Sequence, residues 1–470
     1  MPILKRGAPL KTPAGPLDLA GIVDDGPLNA PRILIFLLIT LGLFTDGYDI
    51  TVISFIAPAV TADWGLSRDA MAAVFATGQA GAIIGTFAGG ALADWRGRRP
   101  ALLACLLLSG VAMLGSASAA DAVQLAAWRF AAGLGVGAIV PICMVLGAEY
   151  APRRIRATTQ SCLFFGFGVG GTASAGSIAA ALLPTYGWRW VLGAGGVLTL
   201  LVVLVLAVSL PESLKYLFAR KPSSPQFWRN LRRIAPALRT IPEMSVVWTG
   251  EAEPESESRS ALRLLFADGR HWLTATLWAS MFVGQLTVFG FTMWLPTLLT
   301  GAGLGAGAIA LVVVLFATGA SLGSLGIARF VDRYGVMALT ALPVLGVPAV
   351  LALRVVPLGD PIGIALITTV GACAGGVLNG LIIAAGQIYP TAGRANGVSA
   401  AVFVSRFGSV AGPLLLGAFI GGRVENVYTV CALVLLSTAA GTALLGVLHR
   451  APAAVGRPAP ARRAPGASQA

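Results

Sequence analysis

Two short stretches, Gly90-Ala91-Leu92-Ala93-Asp94-Trp95-Arg96-Gly97-Arg98-Arg99 and Arg329-Phe330-Val331-Asp332-Arg333-Tyr334-Gly335, decide the architecture of this chain. Each places an Asp, a basic residue and a Gly within four positions, and each follows an apolar block of helical length. A duplicated unit of helices would leave such a turn in both copies. The second copy is degraded, with Ala328 in the place of Gly90 and Val336 in the place of a basic residue.

Around these turns the chain is strongly apolar. Of 470 residues 56% are hydrophobic and only 11% charged, where a soluble domain carries roughly a quarter. Its apolar residues gather in blocks of about 20, the length that carries a helix across a hydrocarbon core about 30 Å thick. Twelve spans are expected, near 33–59, 70–93, 100–120, 122–149, 158–183, 188–209, 272–300, 307–329, 338–356, 362–389, 395–420 and 425–448. The fold class is therefore an all-α polytopic membrane protein with twelve transmembrane helices in two six-helix bundles. A soluble enzyme, a secreted disulfide module and a disordered chain fit poorly.

The net charge of +13 reads as topology. With the N-terminus placed inside, 27 Lys and Arg fall in inside segments and four, Arg68, Arg189, Arg354 and Arg423, in outside turns. That asymmetry predicts both termini in the cytoplasm and removes the reason to invoke nucleic acid. The five cysteines lie in or near the spans without CxxC spacing, so no metal site or disulfide framework is expected, and no cofactor. The expected division is a cytoplasmic segment 1–32, a first bundle 33–209, a cytoplasmic linker 210–271, a second bundle 272–448 and a disordered cytoplasmic tail 449–470. The Pro-rich first 30 residues hold no signal-peptide core, so the first span is read as its own uncleaved insertion signal.

The turn at 90–99 resembles the loop signature between helices 2 and 3 of the major facilitator superfamily. Arg129-x3-Gly133-x-Gly135-x-Gly137 resembles that superfamily's span-4 motif, and Pro211-Glu212-Ser213-Leu214-Lys215-Tyr216-Leu217 its motif after span 6. The resemblance covers about residues 33–448 and implies a monomeric transporter working by alternating access. Physically, Gly90, Asp94, Gly97 and Arg98 make a turn suited to a latch: Gly97 permits the bend, and Asp94 can face a helix N-terminus of the other half or an Arg of a neighbouring loop. The basic residues would also be present for topology alone.

Ionisable residues inside spans are expensive and mark functional sites. Asp46 and Asp49 lie on one helical face of span 1, about 20–24 Å deep. Two carboxylates so close in low dielectric do not both ionise readily, which makes them candidates for proton coupling; an Arg that neutralised them permanently would make a fixed strut instead. Arg129 in span 4 reaches a similar depth, so an Asp49–Arg129 pair is possible, as gate or strut. Glu149 ends the same span near Arg153, Arg154 and Arg156. Arg394 begins span 11, and Arg406, about 18 Å further in, is the deep cation of the second half, suited to gripping a carboxylate in two contacts. Tyr48, Gln285 and Asn379 are further substrate-binding candidates. Phe164, Phe165, Phe167, Phe289, Phe291, Trp294, Phe403 and Phe407 would serve either stacking or packing.

Asp46-Gly47-Tyr48-Asp49, with Tyr389-Pro390-Thr391, Arg394-Ala395-Asn396-Gly397 and Arg406, resembles the aromatic acid:proton symporter family. That resemblance implies uptake of a benzoate- or hydroxybenzoate-type anion with protons across a bacterial inner membrane. It implies functional roles for Asp46, Asp49, Asp94, Arg129, Glu149, Arg394 and Arg406. Transport of another solute, such as an aliphatic carboxylate or a drug, and a solute sensor remain alternatives.

Overall fold

The computed structural model describes residues 17–220, 222, 224–236, 238, 246–247, 265–266, 270–389, 394–420 and 424–450. Strand β1 (Leu17–Asp18) and helix α1 (Leu19–Asp24) precede the first four crossings: α2 (Ala30–Trp64), α3 (Arg68–Arg96), α4 (Arg98–Ala117) and α5 (Ala122–Tyr150). The fifth crossing is built from α6 (Arg156–Phe165), a π-turn (Gly166–Gly170) and α7 (Gly171–Tyr186), and α8 (Trp188–Ser209) is the sixth. After the short α9 (Leu214–Arg220), α10 (Pro225–Ile234) and β2 (Val246–Val247), the second half runs through α11 (His271–Gly301) and α12 (Ala306–Tyr334). A 3-10 turn (Val336–Thr340) then leads into α13 (Ala341–Ala352), followed by α14 (Pro361–Ile388), α15 (Arg394–Ile420) and α16 (Val424–Arg450).

Among the described residues, eleven helices are long and apolar enough to span a membrane, and the twelfth crossing is the shorter apolar stretch Val336–Ala352. That crossing stops short of the expected residue 356: Leu353, Arg354 and Val355 wind down in i to i+3 turns ahead of Pro357, which cannot continue a helix. Leu37, Leu204 and Val208 are 62%, 64% and 88% exposed, the arrangement of helices whose solvent is lipid. One departure from an all-helical chain is a parallel bridge of two residues, Leu17 with Val246 and Asp18 with Val247. The expected disordered tail beyond Arg450 lies outside the described residues.

The duplication is visible in the packing. Thr86 donates to the Gly137 carbonyl at 2.9 Å, and Ser324 to the Gly375 carbonyl at 3.0 Å. The two bonds lie 238 residues apart, the spacing that separates Asp94 from Asp332 and Gly97 from Gly335. Gly133 abuts the Gly78 carbonyl and Gly137 that of Ala82; at the same spacing, Gly371 abuts the Phe316 carbonyl and Gly375 that of Ala320. A Cβ at any of these positions would overlap backbone, so close packing of helices requires glycine there. Both turns bend at a glycine of positive φ, +107° at Gly97 and +73° at Gly335.

Three apolar cores set the relation between halves. One joins them on the side away from the termini, bringing Val52, Phe55 and Phe75 together with Phe291, Trp294 and Leu416. On the side that bears the termini each half keeps its own core, around Ile39, Leu102 and Leu146 in the first and Met281, Leu339 and Leu381 in the second. The halves are thus closed on the distal side and separately packed on the terminal side. The first half's core also takes in Leu19 and Val23 of α1 and Phe227, Trp228 and Leu231 of α10. Buried Arg32 fastens α1 by donating to its last carbonyls, Ile22 and Val23, each at 2.9 Å.

Candidate functional site

Below the shared core, between the halves, lies a cavity of about 410 Å³. The first half contributes Asp46 from α2 and Gln79 from α3; the second contributes Gln285 from α11, Asn379 from α14 and Arg406 from α15. Phe164 and Phe167 face Phe289 and Phe316 across the same space. Gly47 lets α2 approach the π-turn, since a Cβ there would overlap the Phe167 carbonyl, and this contact holds Phe167 beside Asp46. Asp46 is 1% exposed, and neither of its carboxyl oxygens has a hydrogen-bond partner among the described residues. The Arg406 guanidinium makes no hydrogen bond or ion pair with the described residues. A bare acid and a bare base, from opposite halves, share one cavity.

Asp49 and Arg129 lie elsewhere. The Arg129 guanidinium donates to Asp49 Oδ1 at 2.5 Å and to the Asp49 carbonyl at 3.0 Å, and Ser109 donates to Asp49 Oδ2 at 2.9 Å. With Asp49 at 0% and Arg129 at 6% exposure, every carboxylate oxygen is spoken for within the first half. The i, i+3 spacing of Asp46 and Asp49 therefore splits between two environments: one acid points at the cavity, its neighbour at α4 and α5. Tyr48 also turns away, donating its hydroxyl to the Val191 carbonyl at 2.7 Å on α8. Neither Arg129 nor Tyr48 lines the cavity, so the substrate contacts expected of them have no counterpart in this arrangement.

On the terminal side, Asp94 is 78% exposed and meets Arg98 of its own turn at 3.4 Å, while Arg98 lies 3.7 Å from Glu149. The expected reach of Asp94 to the other half is not seen, because the halves do not share a core on this side. A residue outside the expected site does more. Glu212 accepts the backbone N–H groups of Arg98, Arg99 and Ser213 at 3.0, 3.2 and 2.8 Å, capping the start of α4. Burial pushes the Glu212 carboxyl up, and these N–H groups pull it partly back. Gly97 is required twice, by its φ and because a Cβ would overlap Glu212, whereas Gly90 has nothing within 4 Å of its Cβ position. The Arg394 side chain lies outside the described residues.

Among the aromatic candidates, Phe291 and Trp294 belong to the distal core, Phe403 meets Phe87 across the α3–α15 seam at 4.8 Å, and Phe165 and Phe407 are exposed. Phe316, Gln79, Ser321 and Ser324 line the cavity without having been expected there. An amide in the middle of an apolar span was a usable signal for Gln79; the serines are too common in spans to stand out.

The description "Major Facilitator Superfamily" matches residues 39–413. The 4-hydroxybenzoate transporter PcaK of Pseudomonas aeruginosa is 33% identical over 93% of this chain and 97% of its own length. The gallate transporter of Pseudomonas putida is 33% identical over 87% and 90%. Among solved structures, the partially occluded inward-open xylose transporter XylE from E. coli superposes with a TM-score of 0.62 at 20% identity, covering 88% of this chain and 97% of that one. A bacterial homologue of the lysosomal transporter Spinster, inward-facing and unoccupied, gives 0.65 at 18% identity over 90% and 96%. The chain belongs to the major facilitator superfamily of membrane transporters, in the group that holds the 4-hydroxybenzoate and gallate transporters.

Proposed function

We propose that the protein carries an aromatic carboxylate, of the benzoate or hydroxybenzoate type, together with protons into the bacterial cytoplasm across the inner membrane. The observation that carries this reading is the presence, in one phenyl-lined cavity, of an Arg406 guanidinium and an Asp46 carboxyl that have no hydrogen-bond or ion-pair partner among the described residues. A carboxylate leaving water loses hydration, and a planar guanidinium offsets that loss through two parallel contacts. The ring lies between Phe164 and Phe167 of one half and Phe289 and Phe316 of the other, with Gln285 and Asn379 beside it. Asp46, not the tied Asp49, takes and releases the proton. The names of the related 4-hydroxybenzoate and gallate transporters support the substrate class.

The basic bias places both termini in the cytoplasm, which makes the conformation described here the one facing inward. Alternating access moves residues 33–209 against residues 272–448 as two bodies, with the linker 210–271 on the cytoplasmic face. Gly90, Asp94, Gly97, Arg98, Glu149 and Arg394 act at the cytoplasmic gate, and one chain suffices for transport.

The test is uptake into liposomes containing the purified protein, with labelled benzoate, 4-hydroxybenzoate, 4-hydroxybenzamide and lactate, with and without an inward proton gradient. Gradient-dependent accumulation of the two aromatic acids alone is expected. Equal uptake of the neutral amide, or accumulation without the gradient, refutes the reading. Arg406→Ala should weaken binding of the acids by about 2–5 kcal/mol and leave the amide little changed.

A further inference from the structure

Gln79 has no part in the mechanism above, yet it faces the same cavity. Its carboxamide makes no hydrogen bond with the described residues, while neighbouring hydroxyls are already spent: Thr51 donates to the Gly47 carbonyl at 2.7 Å and Ser321 to the Ala317 carbonyl at 3.0 Å. Packing does not ask for an amide there. The equivalent position of the second half, 238 residues on, is Ala317, which lines the cavity as well. A mid-membrane amide kept without a protein partner is costly and points to a ligand.

The seam between α3 and α15 sets its position relative to Arg406. These antiparallel helices meet at Phe87 with Phe403 and at Ala72 with Gly417, so one register holds along the contact and brings Gln79 level with residues 410–411. Gln79 therefore sits about five residues to the distal side of Arg406, ~7 Å along the helix axis. With both side chains lining the cavity, the offset puts them at two levels of it, as a ring with a carboxylate at one end and a small polar group at the other would need.

We infer that Gln79 is a specificity-determining residue that binds a hydroxyl on the substrate ring para to the carboxylate, an assignment that rests on Arg406 holding the carboxylate. The amide offers both a donor and an acceptor, so it satisfies a hydroxyl in either sense. A ring that carries hydrogen or methyl there leaves the amide dry and unpaired when the cavity closes, and such unpaired groups are how a polar site rejects an apolar analogue. One molecule would then bridge the second half at Arg406 and the first at Gln79.

Calorimetric titration of the purified protein with benzoate, 4-methylbenzoate, 4-hydroxybenzoate and 2-hydroxybenzoate tests this. The native protein is expected to bind 4-hydroxybenzoate about three- to tenfold more tightly than the other three acids. Gln79→Leu should erase that preference, weakening 4-hydroxybenzoate while tightening benzoate and 4-methylbenzoate, whose binding no longer leaves an amide unpaired. A preference that survives in Gln79→Leu, or an equal loss for all four acids, overturns the assignment. The native series decides even if the variant does not fold, because equal affinity for 4-hydroxybenzoate and 4-methylbenzoate overturns it too. A native protein that binds none of the acids overturns the carboxylate reading at Arg406, and the assignment of Gln79 with it.

Discussion

Arg68, at the start of α3, donates from Nη1 to the carbonyl of Ile420, the last residue of α15, across 2.5 Å and 352 residues of chain. The bond joins the two halves on the distal side. It uses a carbonyl that a helix C-terminus leaves without an intrahelical partner and a cation that its dipole favours. Just below, Phe75 meets the edge of Trp294 at 5.3 Å, and Trp294 Nε1 donates to the Pro413 carbonyl at 2.9 Å. Arg68 is one of three basic residues, with Arg189 and Arg354, at the distal ends of the helices among the described residues, and the bond to Ile420 supplies a local reason for it to stand against the topological bias.

Arg68→Ala is expected to loosen the distal closure. Spin labels at Val123, at the distal start of α5, and at Val355, in a distal turn of the other half, which are 78% and 84% exposed, should show a longer and broader distance distribution in the variant. An unchanged distribution would mean that the apolar core alone holds this side shut.

The Asp49–Arg129 pair should behave as a strut. Arg129→Ala leaves a carboxylate buried with only Ser109 to support it and should cost about 3–5 kcal/mol of stability. Replacing both residues with apolar side chains of similar size should cost clearly less, which thermal unfolding in detergent would reveal. If the single and double variants melt together, the pair does not carry its own desolvation in this way.

Asp46→Asn removes the titrating group and keeps the shape. Exchange of substrate at equal concentrations should persist, whereas accumulation driven by a proton gradient should be lost. Asp49→Asn should instead lower the melting temperature; gradient-driven accumulation abolished by Asp49→Asn in a fully stable protein would return the coupling role to Asp49.

Gly97→Ala meets both an unfavourable φ and the Glu212 carboxylate and should destabilise by roughly 1–3 kcal/mol, while Gly90→Ala should be near neutral.

Burial holds the Glu212 carboxyl above the usual carboxylate range. Folding therefore favours its protonated form, and that advantage is lost as pH rises from the usual value through the raised one. Glu212→Gln keeps an acceptor for the α4 N–H groups and does not ionise. Its melting temperature relative to the native protein should be higher at about pH 8 than at about pH 4; a constant difference would show that Glu212 ionises in the folded chain as it does in water.

The sequence by itself determined the membrane class, the crossings and the duplication. Hydrocarbon admits only chains whose backbone bonds are internal, so apolar length reads out directly as helices, and the repeated Asp–basic–Gly turn carried the twofold plan. It also marked Asp46, Arg406, Gln285 and Asn379, because polar groups in apolar spans are rare enough to notice. Tertiary structure decided which of two acids three residues apart is free. Asp46 and Asp49 are equivalent in a helical projection, and only the placement of Ser109 and Arg129 on neighbouring helices consumes one and leaves the other bare. The same holds for Glu212, two of whose three N–H partners lie more than 110 residues away in the turn at 97–99, and for Arg68. Their roles depend on which backbone groups the packing brings within hydrogen-bond distance, and side-chain chemistry read along one helix contains no record of the groups on the next.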